Sequence, residues 1–303
     1  MGISEVENDN TAVAEDALKT AMHVSKVSIA GNLVLSVGKL LAGIFASSSA
    51  MISDAIHSAS DVASTVVVMI GVHMAAKSAD EDHPYGHERM ECVASAILAM
   101  FLAVVGAEIG ISGLRKIHSG SYVADELPGL LALVAAAASI ILKEAMFWYT
   151  RNAAKRINSG ALMADAWHHR SDALSSIGAL IGIAFARQGF PVMDAVASVV
   201  ISLFIIKAAY DIMKDSIDKL VDHCADDEVQ KAISEAVTAV PGVVRIDDLK
   251  TRLFGSVLYV DVEIAADGKL SLEEAHDIAE QVHDSVEKKV KHVKHCMVHV
   301  NPA

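Results

Sequence analysis

The first two thirds of the chain alternate long apolar stretches with short polar breaks. The apolar stretches run near 27–46, 51–76, 92–113, 128–150, 160–187 and 191–212, each close to the ~20 residues a helix needs to cross a bilayer. Short connections at 46–50 and 187–191 predict tight hairpins between neighbouring helices. From about Asp222 the pattern changes. Residues 229–240 read as an amphipathic helix stopped by Pro241 and Gly242. Residues 243–252 and 257–265 read as strands, the second alternating Leu258, Val260, Val262 and Ile264 against Tyr259, Asp261 and Glu263. Leu272, Ala275, Ile278, Val282 and Val286 mark one helix face, and 293–300 a last strand. The order αββαβ predicts helices on one face of a small sheet.

The expected fold class is thus an α-helical membrane protein, with a six-transmembrane-helix bundle over 21–215 and a small α+β domain over 216–303. Residues 1–20 are acidic and polar and lack the basic start and cleavage site of a signal peptide, so a flexible leader is expected there. Six spans place both termini on one side. Near the span ends, nine Lys and Arg fall on the side of the termini against Arg115, Lys116 and Arg187 on the other. That bias predicts cytoplasmic termini and a cytoplasmic tail.

The second and fifth spans share a sequence. Asp54-Ala55-Ile56-His57-Ser58-Ala59-Ser60-Asp61 and Asp165-Ala166-Trp167-His168-His169-Arg170-Ser171-Asp172 both read D-A-x-H-x-x-S-D. On a helix, residues four apart share a face, so each copy sets a His beside an Asp. Two such helices facing each other offer His57, Asp61, His168 and Asp172 as a tetrahedral set for Zn²⁺ or a similar divalent ion. A lone intramembrane His reads equally well as a helix–helix hydrogen bond. Four ionisable residues in matched pairs favour a metal site facing the bundle interior. Asp54 and Asp165, one turn earlier, are candidate outer carboxylates. A His ligand must be neutral, so a site open alternately to two sides would exchange metal for protons. Zn²⁺ suits two nitrogens and two oxygens; Fe²⁺, Cd²⁺, Co²⁺ and Mn²⁺ remain compatible.

The loop after the second span offers Asp80, His83 and His87 as a second ion site, against the plainer reading of a solvated acidic loop. The tail histidines His276, His283, His292, His295 and His299 lie among acids, where exposed histidines are the default and metal binding by a subset is the alternative. Lys39, Glu108, Lys143, Glu144 and Lys207 either pair inside the bundle or snorkel to the interface, and spacing leaves both open. Hydrophobic residues make up 53% of the chain, and the formal charge of −13 argues against nucleic acid as a partner. Cys92, Cys224 and Cys296 show no disulfide or C-x-x-C spacing.

These features together resemble the cation diffusion facilitators. The likeness rests on six spans, His57-x₃-Asp61, His168-x₃-Asp172, the loop Asp82-His83-Pro84-Tyr85-Gly86-His87-Glu88-Arg89-Met90-Glu91, and the αββαβ tail. It covers nearly the whole chain after about residue 20. The resemblance implies a ferredoxin-like tail and a homodimeric, proton-coupled exporter of divalent metal in the cytoplasmic (inner) membrane. It places the transport site at His57, Asp61, His168 and Asp172, a loop site at Asp80, His83 and His87, and a charge interlock near the dimer contact at Arg89 and Asp222. In the tail it points to Asp247, Glu263, His276 and His299, with Asp247 and Glu263 where the family often has His, and Asn301 where it often has Asp. Metal bound there would tighten the dimer as cytoplasmic levels rise.

The expected function is Zn²⁺/H⁺ antiport, with protons as counter-ion and the lipid bilayer as setting; the expected class is transporter, not enzyme. A metal-sensing or scaffold protein of the same fold is the alternative. An intramembrane hydrolase would need a base beside an open metal position, and no H-E-x-x-H occurs.

Overall fold

Long helices form where apolar residues recur without proline; among the described residues Pro84 and Pro241 both fall between helices. The computed structural model describes residues 3–45, 49–120, 130–187 and 192–303; within its helices some side chains, those of Asp54 and His57 among them, lie outside the described residues. In chain order the described elements are α1 (Ile3–Phe45), α2 (Ser49–Ala75), α3 (Arg89–Ser119), α4 (Leu130–Arg156), α5 (Gly160–Arg187), α6 (Val192–Leu220), α7 (Asp227–Thr238), β1 (Arg245–Phe254), β2 (Val257–Ala266), α8 (Leu272–Lys289) and β3 (Val293–Pro302). α1 begins at Ile3 and takes in the acidic stretch for which a flexible leader is expected. No Gly or Pro interrupts residues 3–30, and Glu5, Glu7 and Asp9 favour a helix N-terminus.

The chain divides into two compact units, one of residues 19–74 with 90–216, the other of residues 75–89 and 217–303 with the start of the chain. In the first, polar side chains join the helices from within. Ser36 Oγ donates to the Ala55 carbonyl at 2.8 Å, Lys39 Nζ to Ser58 Oγ at 3.0 Å, and the Ser28 and Thr150 hydroxyls lie 3.4 Å apart. α4 and α5 form a hairpin whose turn uses Asn158 at φ 53, and Ser159 Oγ accepts the Leu162 N–H at 3.2 Å. Gly106, Gly110 and Gly113 bring α3 against α6, where a Cβ on Gly110 would lie 2.6 Å from Ser202 Oγ.

Polarity in this unit is reversed from that of a soluble protein. Leu33, Val34, Met100, Phe101, Leu203 and Phe204 are exposed, while Asn32, Thr65, Lys143, Asp165 and His169 are buried. In water both halves of that arrangement are unfavourable; against lipid, an apolar exterior around a polar interior is what stability requires. Asp16–Ala42 and Arg89–Ser119 are each long and apolar enough to cross a membrane.

The second unit is an αββαβ domain. β1 and β2 pair antiparallel, β2 and β3 parallel across α8, in the order β1-β2-β3. Ile233 and Val237 of α7 and Val282 and Val286 of α8 are buried with Val260, Val262 and Ile264 of β2 in one core. Ser271 and Glu274 form a reciprocal capping box at the start of α8. Leu272, expected on one face with Ile278, Val282 and Val286, is exposed in the first turn of α8 while those three are buried. The stretch 75–89 belongs to this unit: Tyr259 Oη donates to the Tyr85 carbonyl at 3.2 Å, and Lys294 pairs with Glu88.

Candidate metal-transport site

α2 and α5 carry the two copies of the repeat, and the structure closes them onto one another. Asp61 on α2 and His168 and Asp172 on α5 each offer a ligand atom, and the three atoms lie within 4.8 Å of one another. His168 Nε2 is 3.4 Å from Asp61 Oδ1 and 4.0 Å from Asp172 Oδ2. The helical repeat explains the geometry, since a spacing of four stacks His168 over Asp172 on the face turned to α2. His57 stands one turn before Asp61 on α2, with its side chain outside the described residues, as is that of Asp54.

A fourth group completes the cluster. Lys143, buried on α4, sets its Nζ 2.5 Å from Asp61 Oδ2 and 2.8 Å from Asp172 Oδ2. Of the two readings open for this lysine, the structure has the pairing inside the bundle. Sequence could not reach this, because a single lysine in an apolar run carries no mark of its partner. Glu144, its neighbour, faces Arg170 at 3.3 Å, and that guanidinium lies 4.4 Å over the Phe147 ring.

Asp165 is buried in a pair of its own. It accepts the Thr65 hydroxyl at 3.1 Å and lies 3.5 Å from His169 Nε2, which in turn is 3.4 Å from the Ser28 hydroxyl. Thr65 is one turn beyond Asp61, so the pair adjoins the cluster without entering it.

Two further groups lie in the other unit. Asp80, His83 and His87 converge, with His83 Nδ1 3.1 Å and His87 Nε2 3.6 Å from the Asp80 carboxylate and their ligand atoms within 4.8 Å. The Lys77 ammonium bonded to Asp80, aided by the backbone and ring of His83, holds its carboxyl well below the usual range. In the tail, His283 of α8 and His295 of β3 flank Glu287 at 3.2 and 3.5 Å, again within 4.8 Å as a set. Glu287 also accepts the Cys296 N–H at 2.9 Å, and burial, with the Glu287 and Asp261 charges, pushes the Cys296 thiol up to about 12.

The residues expected in the tail are arranged differently. Asn301 Nδ2 donates to Asp247 at 3.1 Å and to Glu263 at 3.4 Å, and His299 sits beside Glu263 in the β2–β3 register. His276 lies 3.7 Å from Glu280 on α8. Among the described residues these four form no convergent group. His283 and Glu287 are four apart on α8, and His295 joins them only when β3 is laid beside that helix. Arg89 pairs with Asp222, donates to the Leu220 carbonyl at 3.2 Å and stacks 4.4 Å from the Phe254 ring centroid.

Residues 25–221 match the cation efflux transmembrane domain, and residues 225–303 the cytoplasmic domain of cation efflux proteins. The chain belongs to the cation diffusion facilitator family. Among similar proteins from Bacillus subtilis, the uncharacterized transporter YdbO is 36% identical over 290 residues, covering 94% of this chain and 97% of that one. The manganese efflux system protein MneS is 36% identical over 287 residues, 95% and 97% of the two chains, and MneP 29% identical over 297, 96% and 99%. As a cation diffusion facilitator, the protein is an integral membrane transporter of divalent metal ions, not an enzyme.

Proposed function

We propose that this protein exports Zn²⁺ from the cytoplasm in exchange for protons, by alternating access in a homodimer of the inner membrane with both termini cytoplasmic. The observation that carries the reading is the convergence of Asp61, His168 and Asp172 from two helices inside the bundle. With His57 they make two nitrogens and two carboxylates, a donor set that suits tetrahedral Zn²⁺. Neutral imidazole is required for binding, so a proton taken by histidine after release opposes the metal and couples the two fluxes. Asp54 and Asp165 serve as outer carboxylates. The loop group Asp80, His83 and His87 collects ions at the cytoplasmic face. In the tail the His283–Glu287–His295 geometry supports regulatory binding, and the Asp247, Glu263, His276 and His299 set is the second place for it. Arg89 and Asp222 stabilise the dimer contact.

Similarity to MneS favours a second reading with Mn²⁺ as cargo. Metal uptake into sealed proteoliposomes under an imposed pH gradient separates the two, with Zn²⁺, Mn²⁺ and Fe²⁺ in parallel and Asp172→Ala beside wild type. Zn²⁺ flux that follows the gradient and falls at least ~10-fold in Asp172→Ala is the expected result. Flux of Mn²⁺ alone transfers the assignment to manganese, and flux indifferent to Asp172→Ala removes the pathway from these helices.

A further inference from the structure

The place between Asp61 and Asp172 is held by a cation that the chain carries itself. The Lys143 ammonium touches both carboxylates, at 2.5 and 2.8 Å, and is buried along with Asp61. A divalent ion bound by those oxygens at the usual ~2.0–2.2 Å would occupy the same space, beside a charge of its own sign. Two cations cannot share that position inside a low-dielectric bundle. We propose that Lys143 is a tethered competitor of the substrate: it is displaced from Asp61 and Asp172 when metal loads, and its return between them expels the metal and neutralises the emptied carboxylates.

The proposal rests on the transport-site reading above and deepens it. An unpaired carboxylate pair inside the membrane is costly, so an exporter that has released its ion needs some positive charge there before it reorients. Protons are one source. A lysine on a neighbouring helix is another, supplied by movement alone with no change of its charge. Four methylenes let the ammonium withdraw without moving α4. The geometry also sets affinity: metal must compete with a ligand of high effective concentration, so binding is weak enough for release. Lys143 is thus a positioning and specificity-setting residue, favouring cargo whose charge and ligand affinity suffice to drive an ammonium off two carboxylates.

The experiment is Zn²⁺ binding to the full-length, detergent-solubilised protein by titration calorimetry, paired with flux in proteoliposomes, for wild type, Asp172→Ala, Lys143→Met and Lys143→Arg. The class of Zn²⁺ binding lost in Asp172→Ala defines the membrane site; if none is lost, the transport-site reading fails, and this proposal with it. At that site Lys143→Met should tighten the Kd at least ~10-fold while lowering the maximal flux, because a competitor is gone and the emptied carboxylates lack the ammonium charge. Lys143→Arg, whose fork grips carboxylates more firmly, should weaken the Kd about 10-fold. A merely structural lysine predicts loss of affinity in both variants, and that result, or an unchanged Kd in Lys143→Met, overturns the proposal. Should Lys143→Met fail to fold, the neutral, polar Lys143→Gln replaces it, and an unchanged or weakened Kd there overturns the proposal.

Discussion

Cys224 is exposed, whereas Cys92 and Cys296 are buried. Thiolate is the reactive form, and the Cys296 thiol stays protonated far above neutral pH. Native protein treated with a maleimide at pH 8 should therefore label at Cys224 alone, and at all three cysteines after denaturation, as counted by intact mass. The same thiol ties stability to alkaline pH. Folding raises its pKa from an ordinary 9.0 to about 12, so the unfolded chain ionises first. The contribution of Cys296 is fully present below about pH 9 and drains away as pH rises toward 12. Cys296→Ala should flatten the loss of tail-domain stability between those limits, read by denaturant unfolding at a series of pH values.

At the scale of elements, helix pairs are set by what small residues allow. Gly110→Leu would drive a side chain into Ser202 on α6, an overpacking that costs about 1–3 kcal/mol. A lower thermal midpoint in detergent is expected, with zinc binding at the α2–α5 site retained. At the start of α8, Ser271→Ala removes one half of the capping box and should cost about 1 kcal/mol, measured as a shift of the denaturant midpoint for the tail. The helices that hold Asp61, His168 and Asp172 were legible in the sequence because apolar length and a repeated i, i+4 motif both survive without knowledge of packing. The β-strands were legible from the alternation of Leu258, Val260, Val262 and Ile264. Lys143 was not, since a cation in an apolar run reads the same whether it snorkels or pairs. Of the group around Glu287, the i, i+4 pair His283 and Glu287 lies within one helix, but the arrival of His295 depends on the placing of β3, of which sequence spacing carries no trace.

For the molecule as a whole, residues 75–89 group with the αββαβ domain rather than with the helices on either side of them in sequence. Glu88 pairs with Lys294, Tyr85 receives the Tyr259 hydroxyl, and the Glu88 carbonyl stands 2.5 Å from where a Cβ on Gly255 would be. Gly255 takes φ +66, so Gly255→Val meets both a strained backbone and a backbone clash. Limited proteolysis of that variant should release cuts within 75–89 that wild type resists, at protease levels that leave the rest of the chain intact.

This grouping bears on how such transporters recombine. A gene fusion that exchanges only the sequence after Leu220 would deliver a tail whose Gly255, Tyr259 and Lys294 meet the foreign residues 85 and 88. The structural unit is discontinuous in sequence. Hybrids that carry residues 75–89 along with the tail should express and traffic like their parents, while those cut at the obvious boundary should not.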